Sequence, residues 1–529
     1  MRILFVEPPR RIWPFMNFED NYLTKQAYLC LAANLRLNGF NNVEILDCMP
    51  LRMGWKSLAH ELQVRRPDIV AVGENHALYA DEACRCFAMA KELLPQVVTI
   101  AGGAHFTNLA NSYLGAPAGP RSSQPPPWMP NHPPGVIDFV VKGEGDVTIV
   151  ELVQHLCDRP QEPPTAVHGL AFLGDGQAIH TPTRALVEDL DSLPLPAYDL
   201  LPLELYGRAR QLFSPGGTTV YHSRGCAHSC SFCVWWTQMA QRTVDPVSGQ
   251  ETLRPCWRTK SVDRMVEELD LLANRYNKKG LVFVDDCWNL DTQWSRDFAR
   301  GMKDAHLDVN WFAFMRADYL LRDHRNGVLA ELVDAGLAHV SIGAERVEDE
   351  ELTAFRKKNY SADKTREAFS VLKANHPHVF RQATFIVGVP DETPESMNRQ
   401  LDFARELDLD YPGFHPLTPV PGTPLWDEAI AEGLIEADSF EQFDWATPVV
   451  PSRNMTRREI EEALIRIEKE YVTVPWLLRG LFSRNQYKRH MYQWFLKVSV
   501  QMSVSLARDM LFPSPGPIVP LIKPGWYDE

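Results

Sequence analysis

Cys226, Cys230 and Cys233 stand at a C-x3-C-x2-C spacing inside the run Ser223-Arg224-Gly225-Cys226-Ala227-His228-Ser229-Cys230-Ser231-Phe232-Cys233. Three thiolates on one tight loop can ligate three irons of a cubane iron–sulfur cluster, which leaves the fourth iron without a protein ligand. An open iron is a binding site for a further molecule. The same thiols could hold zinc if Cys256, His222 or His228 completed a closed tetrahedral site. Structural zinc sites are commonly built from paired C-x2-C elements, and the sequence has no second pair. The spacing therefore favours the cluster. Cys30, Cys48, Cys84, Cys86 and Cys157 are scattered over the N-terminal third and are expected to act as small apolar side chains.

Rigid elements must hold such a loop, and the chain supplies two βα series. Short apolar runs at 2–6, 43–46, 68–72, 97–101 and 138–141 alternate with helical patterns at 22–37, 81–94 and 147–156. Apolar strands separated by helices imply parallel βαβ units buried on both faces. Residues 1–160 are thus expected to form a five-stranded doubly wound sheet. Eight prolines between Pro117 and Pro134 forbid helix and sheet interior there. The insert at 116–135 is expected to be a surface loop. Residues 161–205 read as a linker with a hairpin around 169–173. A second series, with strands at 218–222, 281–284, 309–314, 339–342, 383–387 and 413–417, implies a partial (β/α)6 barrel over 206–431. Ser261 is expected to cap one barrel helix, and Thr393 followed by Pro394 to open another. Residues 432–529 read as mainly helical. Their set Tyr492, Trp494, Phe495, Met502, Met510 and Phe512 suits either the core of a docked helix or a flat apolar ligand.

Composition narrows the function. The 529 residues carry a net charge of −14, with 45% hydrophobic and 10% aromatic residues, which fits a folded acidic protein and excludes disorder as the main state. Phosphate neutralisation needs clustered Lys and Arg, so no nucleic-acid partner is expected. No run approaches the ~18 consecutive apolar residues of a membrane span, and residues 1–15 lack a signal-peptide pattern. The expected location is cytoplasmic, where disulfides are rare.

In this setting the cysteine loop resembles that of the radical S-adenosylmethionine (SAM) superfamily, whose members carry C-x3-C-x2-C after the first strand of a partial βα barrel, with an aromatic residue before the third cysteine as Phe232 is here. The resemblance implies that Cys226, Cys230 and Cys233 hold a 4Fe-4S cluster, whose open iron binds SAM for one-electron cleavage to a 5′-deoxyadenosyl radical. That chemistry belongs to the cofactor, and the barrel positions and shields it. It also implies SAM contacts for Asp285 and Asp286 after the second barrel strand, Glu345 after the fourth and Gly388 after the fifth. Arg316, after the third, could touch SAM or pair with Asp318. The superfamily's usual electron donors are flavodoxin or ferredoxin.

A doubly wound domain ahead of such a barrel resembles the cobalamin-binding class of the superfamily. Gly102 and Gly103 after the fourth strand, and Gly143 and Gly145 after the fifth, stand where such domains bring backbone close to the corrin, which only glycine permits. The D-x-H-x-x-G turn that supplies an axial histidine is replaced by Glu7-Pro8-Pro9-Arg10-Arg11, so any cobalamin lacks that ligand. His76 and His105, in the turns after the third and fourth strands, face the same end of the sheet, and His105 is expected among the cobalamin contacts.

Across most of the chain the sequence is similar to the anaerobic magnesium-protoporphyrin IX monomethyl ester oxidative cyclases. The likeness rests on Gly102-Gly103-Ala104-His105, Arg224-Gly225-Cys226, Cys230-Ser231-Phe232-Cys233, Phe385-Ile386-Val387-Gly388 and Phe443-Asp444-Trp445-Ala446-Thr447-Pro448. It implies a sizeable, largely apolar substrate such as a tetrapyrrole, gripped partly by the C-terminal helices. The same two cofactors would also serve cobalamin-dependent methylation of an unactivated carbon. A non-catalytic metal- or corrinoid-binding protein is the expectation from another class.

Overall fold

The computed structural model describes residues 1–12, 23–116, 126, 128–129, 134–207, 216–244, 251–511 and 517–529. The first sheet has seven strands in the order β2-β1-β3-β4-β5-β6-β7. They are β1 (Ile3–Glu7), β2 (Val43–Asp47), β3 (Ile69–Gly73), β4 (Val98–Gly102), β5 (Phe139–Val141), β6 (Leu170–Gly174) and β7 (Gln177–His180). The first five are parallel, as expected from their apolar runs. The hairpin expected in the linker is not free-standing. It turns on Asp175 and Gly176, both at positive φ, and β6 pairs antiparallel with β5, so the hairpin covers an edge that five strands would leave open. A helix at Trp55–Arg65, between β2 and β3, also went unanticipated.

The second sheet holds β8 (Gly217–Val220) and five later strands. Between them come short strands β9 (Ser223–Gly225), β10 (Gln241–Val244), β11 (Glu251–Arg254) and β12 (Trp257–Thr259), with β9 pairing β12 and β10 pairing β11 antiparallel. The remaining strands are β13 (Gly280–Phe283), β14 (Asn310–Met315), β15 (Leu337–Glu345), β16 (Phe380–Val387) and β17 (Tyr411–Pro416). The order β17-β16-β15-β14-β13-β8 is all-parallel and never reverses, which is the partial barrel expected from six βα units. Its helix signals act as read. The Ser261 side chain accepts from Arg264 N, and Thr393 forms a reciprocal cap with Ser396.

Helices Arg457–Tyr471, Val474–Leu481 and Gln486–Leu511 follow the barrel. Tyr492, Trp494 and Phe495 are buried against Trp476, Tyr411 and Phe380. Phe380 opens β16, and Tyr487 bonds His339 near the start of β15, so this helix seals the N-terminal end of the barrel. The expectation that these aromatics grip a substrate is thereby corrected, because they sit at the opposite end from the cysteine loop. Phe512 and the side chains of Met502 and Met510 lie outside the described residues. Most of the proline-rich insert also lies outside them. Its Trp128 packs on Phe440 and Phe443, and Met129 is buried.

Candidate active site

The cysteine loop leaves β9 at the C-terminal end of the barrel and is pinned by backbone. Ser231 N donates to Phe355 O, Leu425 N donates to Ser231 O, and Trp236 Nε1 donates to Cys230 O. Cys226, Cys230 and Cys233 are all half-buried. Among the described residues no three His, Cys, Asp or Glu side chains converge tightly enough for a single metal ion. Thiolates of a cubane stand further apart, each on its own iron. The histidines that could have closed a zinc site are otherwise engaged. His222 lies fully buried with Nδ1 2.8 Å from Asp285, and His228 Nε2 lies 3.0 Å from Tyr319 Oη.

Electrostatics differ among the three thiols. A hydrogen bond from Cys287 Sγ–H lowers the Cys226 pKa to about 7, helped by the charges of Arg316 and Lys357 and opposed by burial. Burial raises Cys230, and burial with the nearby Asp286 charge raises Cys233 well above the ordinary thiol value. Iron supplies the positive charge that turns such thiols into thiolate ligands, so the donor set fits a cluster. Cys287 went unremarked in the sequence. It ends the Asp285-Asp286-Cys287 turn after β13, and only the fold brings it to Cys226.

The two aspartates divide their roles. Asp285 accepts from His222 N (3.1 Å), Ser223 N (2.6 Å) and Ser223 Oγ (2.6 Å), and so ties down the strand that feeds the cysteine loop. These contacts gather on Oδ1, while Oδ2 has only His222 N at 3.4 Å, so the structure gives Asp285 an internal role at the strand end where a SAM contact was expected. Asp286 has no hydrogen-bond partner among the described residues. Burial, then the charges of Cys226 and Asp285, raise its pKa well above the carboxylate range. Arg316 and Asp318 form a two-pronged pair at 3.0 Å, one of the two roles that the sequence left open.

Glu345 sits at φ 62 where the β15–β16 register shifts, and its carboxylate folds back over Gly343 to pair with Lys357 at 2.8 Å. A bulge carrying a non-glycine residue at positive φ is the kind of strain that active sites retain. Gly388 N donates 2.8 Å to Glu392, whose carboxylate is buried against Arg346. Gly388 therefore shapes the β16 turn.

The first sheet brings its own C-terminal edge to this mouth. Gln238, on the helix after Cys233, donates to Gly143 O at 3.3 Å, and Asn108 donates to Pro421 O at 2.9 Å. Arg224 crosses the joint to Asp146 at 2.7 Å and Glu144 at 3.3 Å, while Arg258 reaches Glu144 at 2.9 Å. Ala104, Val234 and Val420 close an apolar contact flanked by Trp235 and Trp445. The His76 ring meets Trp235 edge-on with centroids 5.5 Å apart. Burial, with the charges of Lys25 and Arg10, lowers the His76 pKa to about 4, which keeps the imidazole neutral.

The four glycines are not equivalent. A Cβ on Gly103, at φ 86, would lie 2.4 Å from Glu74 O, so this residue serves the interlocking of the β3 and β4 turns. Gly102 is extended at φ −156, and Gly145 packs on Leu31 and Val141. Gly143, at φ 69, faces open space and borders a cavity lined also by Thr107, Glu144, Gly169, Arg184 and Gln238. His105 is 2% exposed, with Nε2 2.7 Å from Tyr113 Oη and its ring edge-on to Phe440. It is turned into the core behind the edge, contrary to the expected corrin contact. The turn that carries an axial histidine in other proteins is filled by an ion cluster, with Arg10 pairing Glu7 at 2.6 Å and Glu74 beside it.

Residues 220–404 match the Radical SAM superfamily, so the partial barrel is a radical SAM domain. The chain is 29% identical to an uncharacterized methyltransferase of Pyrococcus horikoshii over 82% of its own length and 84% of that protein. It is 26% identical to the anaerobic magnesium-protoporphyrin IX monomethyl ester cyclase of Cereibacter sphaeroides over 90% of its length and 71% of that protein. Among solved structures, the radical SAM methyltransferase TsrM of Kitasatospora setae, with cobalamin and a [4Fe-4S] cluster bound, superposes with a TM-score of 0.65 at 16% identity, over 95% of this chain and 100% of that one. That likeness extends across both sheets and establishes the two-sheet fold.

Proposed function

We propose that this chain is a cobalamin-dependent radical SAM enzyme acting on a sizeable apolar substrate, as an oxidative cyclase of a tetrapyrrole-like molecule. The observation that carries the reading is the meeting of the cysteine loop with the C-terminal edge of the first sheet, where Trp235 packs on His76. Ligands of open α/β sheets bind outside the carboxyl ends of the strands, and barrel sites occupy the same end. One mouth thus serves two cofactor sites.

Cys226, Cys230 and Cys233 would hold the cluster, with Asp286 and the Glu345 bulge facing SAM. The open face of Gly143 leaves its backbone accessible to the corrin's tail. When bound, the cluster with SAM supplies a carbon-centred radical, and the corrin a second one-electron or methyl-carrying centre. The protein's own part is positional. Lys357 fixes the Glu345 carboxylate, the Arg316–Asp318 pair braces the floor, and Trp235 and Trp445 offer aromatic faces to an apolar substrate. Reduced flavodoxin or ferredoxin would supply electrons, and the free cysteines fit a reducing compartment such as the cytoplasm.

Methylation of an unactivated carbon is the second reading, favoured by the Pyrococcus relative's name. Anaerobic reconstitution followed by iron, sulfide and corrin analysis tests the shared premise. Replacing Cys226, Cys230 and Cys233 together with Ala should abolish the cluster absorbance and 5′-deoxyadenosine release, and absorbance retained in that variant would overturn the assignment. With substrate, a product heavier by one CH2 marks methylation, whereas a change in oxygen and hydrogen alone marks cyclisation.

A further inference from the structure

The two last helices carry an apolar surface that the active-site reading leaves unused. On Val474–Leu481 and its C-cap, Val474 (68% exposed), Leu478 (47%) and Phe482 (80%) recur every fourth residue. On Gln486–Leu511, Leu496, Val500 and Val504 repeat the same spacing, and Leu511 lies on the same side. Residues at i and i+4 share one helix face. Two outward apolar stripes thus lie on helices that pack together through Trp476 and Tyr492.

The charge around these stripes is unlike the rest of the chain. Residues 471–511 contain six cations, Arg479, Arg484, Lys488, Arg489, Lys497 and Arg508, against one acid, Asp509, in a protein whose net charge is −14. Lys488 is buried on Asp410, and Arg479 pairs with Asp408. Arg484 and Arg508 are exposed. The inner face of Gln486–Leu511 is consumed by the barrel through Tyr487, Met491, Tyr492 and Phe495, so the outward stripe is surplus to folding. No described helix is long and apolar enough to cross a membrane.

An apolar stripe flanked by a strong excess of cations is the pattern of a helix that lies in the headgroup region of an anionic bilayer. We propose that the 474–511 helical pair docks this protein onto an anionic lipid surface. A second copy is the poorer occupant, because a two-fold contact through this patch would set like cations against each other. The stripe lies on the helices that seal the N-terminal end of the barrel. Docking would leave the cysteine mouth facing away from the bilayer, open to substrate and electron donor.

Sedimentation of the anaerobically purified full-length protein tests this, with phosphatidylcholine vesicles compared with vesicles containing roughly a third phosphatidylglycerol. Binding should be strong on the anionic vesicles, weak on the neutral ones, and reduced by salt. Phe482→Asp with Val500→Asp should cut the partition at least tenfold. Arg484→Gln and Arg508→Gln should each cut it about fivefold, as expected for one cation near a charged surface. All four positions are exposed, and an unchanged melting temperature would confirm that the fold is kept. Equal partition of parent and variants, or no anionic binding at low salt, would overturn the proposal. So would a dimer in light scattering that becomes monomeric in Phe482→Asp without any vesicle binding, since a second copy would then cover the face.

Discussion

Arg224→Met is the sharpest test of how the two sheets are joined. Arg224 immediately precedes Gly225-Cys226, and its guanidinium reaches Asp146 at 2.7 and 3.2 Å and Glu144 at 3.3 Å, with all three side chains nearly buried. Removing one partner of a buried pair costs ~3–5 kcal/mol, because the remaining charge is stranded. Glu144 keeps Arg258, and only Asp146 loses its cation, so the lower figure applies. Asp146 starts the helix Asp146–Asp158, whose N-terminal amides lessen the loss further. About 3 kcal/mol at a urea slope of ~3 kcal/mol per M moves the midpoint down by ~1 M. The pH response has a definite sign. Burial works to raise the Asp146 pKa, but Arg224 prevails and holds it below the ordinary carboxylate value. The pair's contribution is therefore present above that value and lost as pH falls through the folded pKa. In Arg224→Met this acid-side loss should disappear, and Asp146→Asn added to it should recover at least half of the lost stability. A midpoint within ~0.2 M of the parent would refute the reasoning. A double variant no better than the single would also do so, since the loss would then come from packing on Tyr221.

Asp285→Ala strands the buried amides of His222 and Ser223 and should cost ~3 kcal/mol in a thermal melt, whereas Asp286→Ala should leave the melt within ~0.5 kcal/mol while abolishing SAM cleavage. Gly103→Ala should lower the melting temperature whether or not corrin is present, because its Cβ meets Glu74 O. Gly143→Phe should cost only the ~1–2 kcal/mol of a left-handed side chain yet lose corrin on gel filtration. Burial lowers the His339 pKa to about 3, so its contribution to stability should be full above ~6.5 and fall by up to ~1.4 kcal/mol per pH unit as pH drops from there towards 3. A denaturation series in His339→Gln that kept the parent's slope over that range would contradict it.

The parallel strands were legible because apolar runs of four to six residues between helical patterns have few other uses, and the cysteine loop was legible because its spacing is local. What failed to show involved partners far away in the chain. Nothing near residues 170–180 announces that β6 will pair with β5. Cys287 looks like a lone cysteine until β13 pairs with β8, the strand that leads into the cysteine loop. Asp285 and Asp286 are indistinguishable by type, yet one clamps the strand that feeds the loop while the other lies beside Cys226 with no hydrogen-bond partner among the described residues. His105 and the Tyr492–Phe495 aromatics carry the right chemistry for ligands. Whether a helix packs inward is decided by the surface it meets, which a pattern of apolar residues does not specify.

The mouth itself follows a division of labour among polar groups. Arg224, Arg258, Glu144 and Asp146 satisfy one another across the joint, Arg346 and Glu392 do the same beneath the loops, and Asp285 is taken up by His222 and Ser223. Such groups hold elements in register, and their type is dictated by burial, which demands a partner for each charge. The side chains left facing the mouth have no such excuse. Asp286 has its pKa pushed up by burial and by the charges of Cys226 and Asp285, the neutral His76 rests on Trp235, and Trp445 occupies a positive-φ turn fixed by Asp444 through Ala446 and Thr447. Each carries a conformational or electrostatic cost that the fold alone does not require, and a bound ligand is what would repay it. On the proposed function, substrate contact would fall to the short helix after Cys233 and the turn at 443–448, between the two sheets, rather than to the C-terminal helices whose aromatics are already spent on the barrel floor.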